Sequence, residues 1–266
     1  MKLAFWRKPR VAVIVLHGTI APRKGGLNIG DLAGPLRKAF LSAGTLPVVL
    51  DIESPGGSPV QSDLIAAEIR RLADKHKVRV HAVIREVGAS GGYWLACAAD
   101  EIHANPMSLV GSIGVRGGGF GVPALMARLG IESRLYTAGS NKARFDPFSA
   151  ERPEDVMFAH ALMDDLHTRF KDWVRTRRGA RLTTDESAVF DGSFMLGAKA
   201  KELGLIDGFG DVASVVRQLG GEKAVAQRFA PAKPGLLRWL PRMAIDAAID
   251  AAFDAAEERA GRIELR

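Results

Sequence analysis

Apolar residues in this chain alternate between short β-branched runs and stretches of helical spacing. Three continuous runs predict buried strands, at Val11–Leu16, Val48–Ile52 and Val80–Ile84. Weaker runs predict three more strands, at Ile102–Ala104, Ile113–Val115 and Ser133–Thr137. Helical spacing predicts the helices, at Asp31–Ala43 (with Pro35 in its first turn), Ser62–His76, Tyr93–Ala99, Val122–Leu129 and Val156–Arg177. Parallel strands need crossover connections, so this alternation predicts an α/β fold with mostly parallel sheets and crossover helices.

The character of the chain changes after about residue 223. Prolines interrupt a basic stretch, and an alanine-rich segment, Ala244–Arg259, then repeats both aspartate and apolar residues every four positions. We therefore expect three parts: a basic N-terminal arm (1–10), a main domain (11–225), and a proline-punctuated linker with a C-terminal amphipathic helix (226–266).

Composition excludes several classes of function. The net charge is +7, but the first ten residues carry four basic side chains and no acid, so the body is almost neutral and we expect no nucleic-acid partner. The only cysteine, Cys97, excludes an internal disulfide, and the few scattered histidines argue against a zinc site. We expect no metal, no cofactor, no signal peptide and no transmembrane helix, and hence a cytoplasmic protein.

The chemistry-bearing segment with the clearest pattern is Val83–Trp94, in which a buried strand leads into GASGG and then a helix. This order resembles the elbow that exposes a nucleophilic serine at the end of a sheet, which makes Ser90 a candidate nucleophile. Backbone N–H groups at the start of the helix would suit a developing oxyanion. The simpler interpretation is a tight turn with a capping serine.

A second turn of small residues, Ser54-Pro-Gly-Gly57, follows another buried strand. Ligand sites of parallel sheets lie at the carboxyl ends of the strands, so the two turns could face one cavity. Taken alone, this turn is better explained as an ordinary connection between strand and helix.

A nucleophilic serine needs a base, and none of the six histidines has a convincing position. A lysine can act as a base when burial strips its ammonium of water. Lys142, in a polar loop before the long helix, is a candidate, although a solvated loop lysine is the simpler interpretation.

Together these segments resemble signal peptide peptidase A and its relatives, serine peptidases with a Ser/Lys dyad on a Clp-protease/crotonase-like fold. The matching motifs occur in the family's order, and they are VAVIVLHGTI, LDIESPGG, GASGGYWLA, DEIHANPMSLVGSIGV, GSNKARFDPF and SFMLGAKAKELGLIDGFG. The resemblance implies that Ser90 is the nucleophile, Lys142 the general base, and the amides of Gly57 and Gly91 the oxyanion hole. It leaves Gly56 as the alternative to Gly57.

The implied activity is endopeptidase cleavage of short or unfolded peptides, with signal-peptide remnants among the candidate substrates. Gly117, Gly118 and Gly119 could line the substrate groove. A Clp-type Ser/His/Asp subunit does not fit, because positions 110–120 hold no histidine. A crotonase-like acyl-CoA enzyme and a catalytically silent scaffold are the alternatives.

The resemblance also implies a homo-oligomer, with the long helix or the C-terminal helix at the contact. Two basic segments that carry large apolar side chains, Lys2–Arg10 and Arg228–Arg242, could lie on an anionic membrane surface. We therefore expect a peripheral membrane contact at most.

Overall fold

The computed structural model describes residues 8–182 and 186–231, so most of the expected N-terminal arm and the C-terminal helix lie outside the described residues. The strands are β1 (Arg10–His17), β2 (Val48–Ser54), β3 (Val80–Ala89), β4 (Glu101–Ala104), β5 (Leu109–Gly111), β6 (Phe194–Leu196), β7 (Gly208–Phe209) and β8 (Val225–Phe229). The helices are α1 (Ile29–Ala43), α2 (Pro59–His76), α3 (Gly91–Ala96), α4 (Pro123–Arg128), α5 (Pro153–Arg178), α6 (Gly197–Glu202) and α7 (Val212–Gly220).

The eight strands form one sheet with the order β6-β5-β3-β2-β1-β8, and β4 and β7 branch from β3. The pair β5–β6 is antiparallel and the other pairs are parallel. The predicted α/β class with a mostly parallel sheet and crossover helices is confirmed, and the arrangement is consistent with a Clp-protease/crotonase-like fold.

The strand β3 pairs with two different strands along one of its edges. Its first half pairs with β4, from His81 to Ile84, and its second half pairs with β5, from Val87 to Ala89. Its other edge pairs with β2, from Val80 to Ile84 and again at Gly88, with a register shift between Ile52 and Ser54. The chain that leaves β3 at Ser90 is therefore held on both sides.

Both faces of the central strands are buried, which explains their continuous apolar runs. In β1, Ile14 and Leu16 face the large core beneath α1, α2 and α3, whereas Val11 and Val13 face a smaller valine cluster beneath α7. Side chains alternate along a strand, so one apolar run can serve two layers.

Helix starts follow from local capping. The Asn28 side chain accepts a hydrogen bond from the Asp31 amide, so α1 begins at Ile29. Its Pro35 therefore lies in the second turn rather than in the predicted first turn. In α2, Ser58 caps the helix and Pro59 occupies the first position, where a missing N–H costs nothing.

Two predicted strands are wrong. The segment Ile113–Val115 is not a strand; β5 ends at Gly111, because Ser112 adopts a left-handed φ of 53° and the chain turns. The segment Ser133–Thr137 is also irregular, since it has no neighbouring strand and its Tyr136 side chain is 89% exposed.

The sheet extends beyond the boundary expected at residue 225. Strand β8 pairs in parallel with β1, from Val225 to Phe229. Its Arg228, expected in a basic tail, instead donates to the buried carboxylate of Asp51 at 2.8 Å. Within the part of the chain that the structure describes, we find no helix with the length and apolarity needed to span a bilayer.

The end of the long helix α5 is anchored by a buried ion pair. The guanidinium of Arg178 donates to both carboxylate oxygens of Asp207, at 2.8 and 3.0 Å, and to the Gly204 carbonyl at 2.9 Å. The Arg178 side chain is 1% exposed, whereas Arg181, which also contacts Asp207, is 47% exposed.

We predict that Arg178→Ala lowers the free energy of unfolding by about 3–5 kcal/mol, because the substitution leaves a carboxylate without its buried partner. Arg181→Ala is the matched control and should cost less than about 1 kcal/mol, since its ion pair is open to solvent. Urea unfolding of both variants tests this. Equal losses from the two substitutions would contradict the account.

Candidate active site

Ser90 lies at the carboxyl end of β3 in a conformation that non-glycine residues rarely adopt. Its φ is 52° and its ψ is −123°. Its N–H donates to the Gly111 carbonyl at 2.8 Å, and its own carbonyl accepts from the Trp94 amide at 3.0 Å. These bonds hold the backbone from the β5 side and from α3. Backbone strain of this kind is concentrated at functional sites.

The turn of Ser54–Gly57 packs directly against this serine. A Cβ on Gly56 would lie 2.6 Å from the Gly91 nitrogen and 2.8 Å from the Ser90 Cβ. A Cβ on Gly92 would collide with the Ser54 carbonyl oxygen. The two turns therefore approach each other only because these positions are glycines.

The backbone N–H groups at this contact differ in whether they donate a hydrogen bond to another described residue. The Gly56 N–H donates to the Ser54 hydroxyl at 3.2 Å. Ile20 bonds to the Gly56 carbonyl and the Ser58 amide, so the Gly57 N–H points away from Ile20. Neither Gly57 nor Gly91 has a hydrogen-bond partner for its amide among residues 8–182 and 186–231. This pattern favours Gly57 over Gly56 as an oxyanion donor.

Among residues 8–182 and 186–231, no hydrogen bond or ion pair joins Lys142 to Ser90. Lys142 is exposed on a loop of turns, and the described residues offer its amine no hydrogen-bond or ion-pair partner. The loop is held by Arg144, which pairs with Asp155 at 3.2 Å and lies 4.0 Å above the Phe158 ring of α5. Phe145 also packs against Phe158. Lys142 is therefore exposed on a loop that contacts with α5 hold in place.

The three glycines expected at a substrate groove lie in an irregular segment near α5. A Cβ on Gly117 would lie 3.4 Å from the Met163 sulfur. Gly118 and Gly119 have open space where a side chain would stand. Their role in binding a peptide stays a prediction.

Sequence reasoning missed three residues that support the site. Gly111 accepts the Ser90 amide, Ile20 pairs with the Gly57 turn, and Ser62 fills the space beneath Gly91. A Cβ on Gly91 would lie 2.5 Å from the Ser62 hydroxyl oxygen. The only signal for Ser62 in the sequence is its position on the apolar face of α2.

A separate cavity of about 700 Å³ opens on the α7 face of the sheet, and Ser90 is not in its lining. Arg85 and Arg228 line it, and both pair with the fully buried carboxylate of Asp51, as does His17. Burial alone would raise the pKa of Asp51, but the hydrogen bonds from Arg85 and His17 outweigh it and hold that pKa below its usual value. The carboxylate therefore stays ionised and pairs with both guanidinium groups.

Comparison with known proteins identifies one family. Residues 72–226, more than half of the chain, match the sequence profile of peptidase family S49. The matched range includes Ser90, Gly91 and Lys142, whereas Gly57 lies before it.

Individual relatives agree with this match. A candidate protease of Synechocystis sp. is 33% identical over 192 residues, which cover 68% of this chain and 67% of that protein. The chloroplastic serine protease SPPA of Arabidopsis thaliana is 28% identical over 220 residues, covering 79% of this chain and 32% of that protein.

A longer protein is also similar. The Na(+)/H(+) antiporter NhaA of Brucella melitensis is 43% identical over 243 residues, covering 89% of this chain. The chain spans only 33% of the length of that protein. The match to this longer protein therefore covers almost the whole of the present chain.

We predict that Gly92→Ala lowers the free energy of unfolding by about 2 kcal/mol or more, because a methyl group there forces the two turns apart. Gly34→Ala is the control, since Gly34 lies in α1 with open space around it and should change stability by no more than about 1 kcal/mol. Chemical unfolding of both variants measures the difference. A Gly92→Ala protein as stable as the parent would show that the contact is looser than described.

Proposed function

Because the chain belongs to peptidase family S49, we propose that it is a serine endopeptidase that cleaves short or unfolded peptides through a covalent acyl-enzyme. The observation that carries this proposal is the position of Ser90. It lies in a left-handed conformation at the end of β3, beside the two unpartnered amides of Gly57 and Gly91. Signal-peptide remnants are one candidate class of substrate.

In the proposed reaction the Ser90 hydroxyl oxygen attacks the carbonyl carbon of the scissile bond while the Lys142 amine takes its proton. The resulting oxyanion accepts hydrogen bonds from the Gly57 and Gly91 amides, each worth about 3 kcal/mol in a pre-organised hole. The tetrahedral intermediate expels the amine, which takes the proton back from Lys142. Water, activated by the same lysine, then releases the peptide acid and restores Ser90.

A crotonase-like acyl-CoA enzyme would use two backbone amides in a similar way. It would not require a serine beside them, still less one held at a positive φ by bonds on both sides. A scaffold without activity would have no use for the strain at Ser90. These features favour the peptidase over both alternatives.

From the exposure of Lys142 we infer that a single chain does not form a complete site. A lysine in water is almost fully protonated at neutral pH, so it accepts a proton only where its surroundings exclude water. No residue of the same chain that the structure describes provides this cover. We propose that a second copy of the chain does so, and that the Lys142 loop of one copy completes the Ser90 site of the next.

Exposed apolar side chains around this loop support assembly. Large apolar residues with roughly half or more of their surface exposed are common between positions 120 and 162, and they are Phe120, Leu125, Leu129, Ile131, Leu135, Tyr136, Phe145, Phe148, Met157 and Leu162. Exposed apolar clusters of this kind mark protein interfaces. Lys142 lies in the same stretch of the chain, so an interface formed by this stretch would bury the lysine together with apolar side chains.

We predict that Ser90→Ala and Lys142→Ala each reduce peptide hydrolysis by about 10³-fold or more, because each removes one member of a unit that acts together. Co-expressed in one cell, the two inactive chains should recover about a quarter of the parent activity, since a mixed oligomer contains sites with both residues intact. A fluorogenic unfolded substrate provides the assay.

Lys38→Ala, an exposed lysine on α1, is the control and should leave the rate unchanged. Near-full activity of Lys142→Ala would refute the assignment of the base. Co-expressed chains that assemble but show no recovered activity would refute the shared site.

A further inference from the structure

Two histidines and a glutamate meet at the start of β3 and β4. The parallel register places His81 opposite Glu101 and Val83 opposite His103. Side chains alternate along a strand, so all three polar residues lie on the same face of the sheet. Twenty residues separate His81 from Glu101, and the pairing of the two strands is what joins them.

The geometry of the cluster converges on one oxygen. The Nδ1 atom of His81 and the Nε2 atom of His103 each lie 3.6 Å from Oε2 of Glu101. The two imidazole rings stack with centroids 5.9 Å apart and an angle of 16° between their planes. The three atoms that could coordinate an ion all lie within 4.8 Å of one another.

Neither of these nitrogens has a hydrogen-bond partner within the described part of the chain, although both are buried. His81 is 4% exposed and His103 is 7% exposed. Leaving a buried polar atom unpaired costs about 1–3 kcal/mol, so two adjacent cases call for an explanation.

The distances distinguish a shared ion from direct hydrogen bonds. An N–H···O hydrogen bond spans about 2.7–3.2 Å, so 3.6 Å is too long for either histidine to donate to the carboxylate. Ligands bound to one tetrahedral ion at about 2.1 Å stand about 3.4 Å from one another. The two nitrogen–oxygen distances of 3.6 Å are therefore close to the spacing of ligands around one ion, and all three atoms lie within 4.8 Å of one another.

We propose that His81, Glu101 and His103 form a binding site for a divalent transition-metal ion of the zinc type. Two imidazoles and one carboxylate are a ligand set that suits zinc and its neighbours rather than magnesium or calcium, which prefer oxygen. The side chain of Glu101 is 31% exposed, so the ion can enter from solvent and keep a water as its fourth ligand.

A hydrogen bond from a neighbouring arginine orients the carboxylate. Arg79 donates to Oε1 of Glu101 at 2.9 Å, which leaves Oε2 directed towards the two histidines. On the other side, a Cβ on Gly208 of β7 would lie 3.2 Å from the His103 ring, so the absence of a side chain there leaves room for that ring.

The proposed site is separate from the peptidase site. His81 is the second residue of β3 and Ser90 follows its last residue, so about 30 Å of extended chain lies between them. An ion at this distance takes no part in hydrolysis. It would instead fasten β3 to β4, the pair on which the branch of the sheet depends.

Isothermal titration of the full chain, freed of metal by chelation, with zinc chloride tests the proposal. The expected result is one zinc ion per chain and a higher midpoint of thermal unfolding with zinc than with chelator. Glu101→Gln and His103→Gln should each weaken zinc binding by about tenfold or more. Glu101→Gln preserves the size of a partly exposed side chain, so we expect it to fold. It therefore tests the site even if His103→Gln does not fold.

His160→Gln, an exposed histidine on α5, is the matched control and should bind zinc as the parent does. A parent chain that binds no zinc, or a folded Glu101→Gln variant that binds it equally well, would overturn the proposal. Peptidase activity provides a separate readout for Glu101→Gln, measured below the unfolding midpoint. We expect this variant to lose zinc binding and to keep its rate of hydrolysis. Equal loss of zinc binding and hydrolysis would contradict the separation of the two sites.

Discussion

The arrangement of the active site depends on the contact between two glycine-containing turns. Gly56 packs against the backbone at Ser90 and Gly91, and Gly92 packs against the Ser54 carbonyl, with no room for a side chain at either point. The contact requires β2 and β3 to end side by side, which their parallel pairing and the register shift after Ile52 provide. Because the turns touch, the proposed nucleophile of one turn and the proposed oxyanion donor of the other can reach the same carbonyl group.

The strand β3 connects these two turns to the rest of the fold. Its first half is buried on both faces, and it pairs with β2 on one edge and with β4 and then β5 on the other. The amide of Ser90 continues the β5 ladder through Gly111, so the strain at the serine is supported by the sheet rather than by a loop. Strong pairing at one end of β3 and an ion at the other would both act to keep this strand in place.

Much of the central fold could be predicted from sequence, because the three central strands are continuous apolar runs and their turns contain small residues. The elbow at Ser90 was recognisable for the same reason, and its position is local to one segment. The short strands were harder: β5 covers only Leu109–Gly111, and its end depends on the conformation of Ser112, which no propensity predicts.

Features that depend on distant contacts could not be predicted. The choice of Gly57 over Gly56 follows from the hydroxyl of Ser54 and the bridge to Ile20, and neither contact is visible in a pattern of residue types. The expectation that no metal site exists relied on the spacing of histidines along the chain. Strand register, however, brings His81 and His103 to one carboxylate. The proposed cover for Lys142 comes from a second copy of the chain, which a pattern of residue types does not show.

The most direct measurement is a crystal structure of the assembled protein after reaction with a fluorophosphonate. The account predicts a phosphonyl group on the Ser90 hydroxyl oxygen, with its own oxygen about 2.7–3.1 Å from the Gly57 and Gly91 nitrogens. It also predicts the Lys142 amine of a neighbouring copy within hydrogen-bond distance of Ser90. A folded protein that reacts at another serine, or an adduct whose oxygen faces away from both amides, would contradict the account.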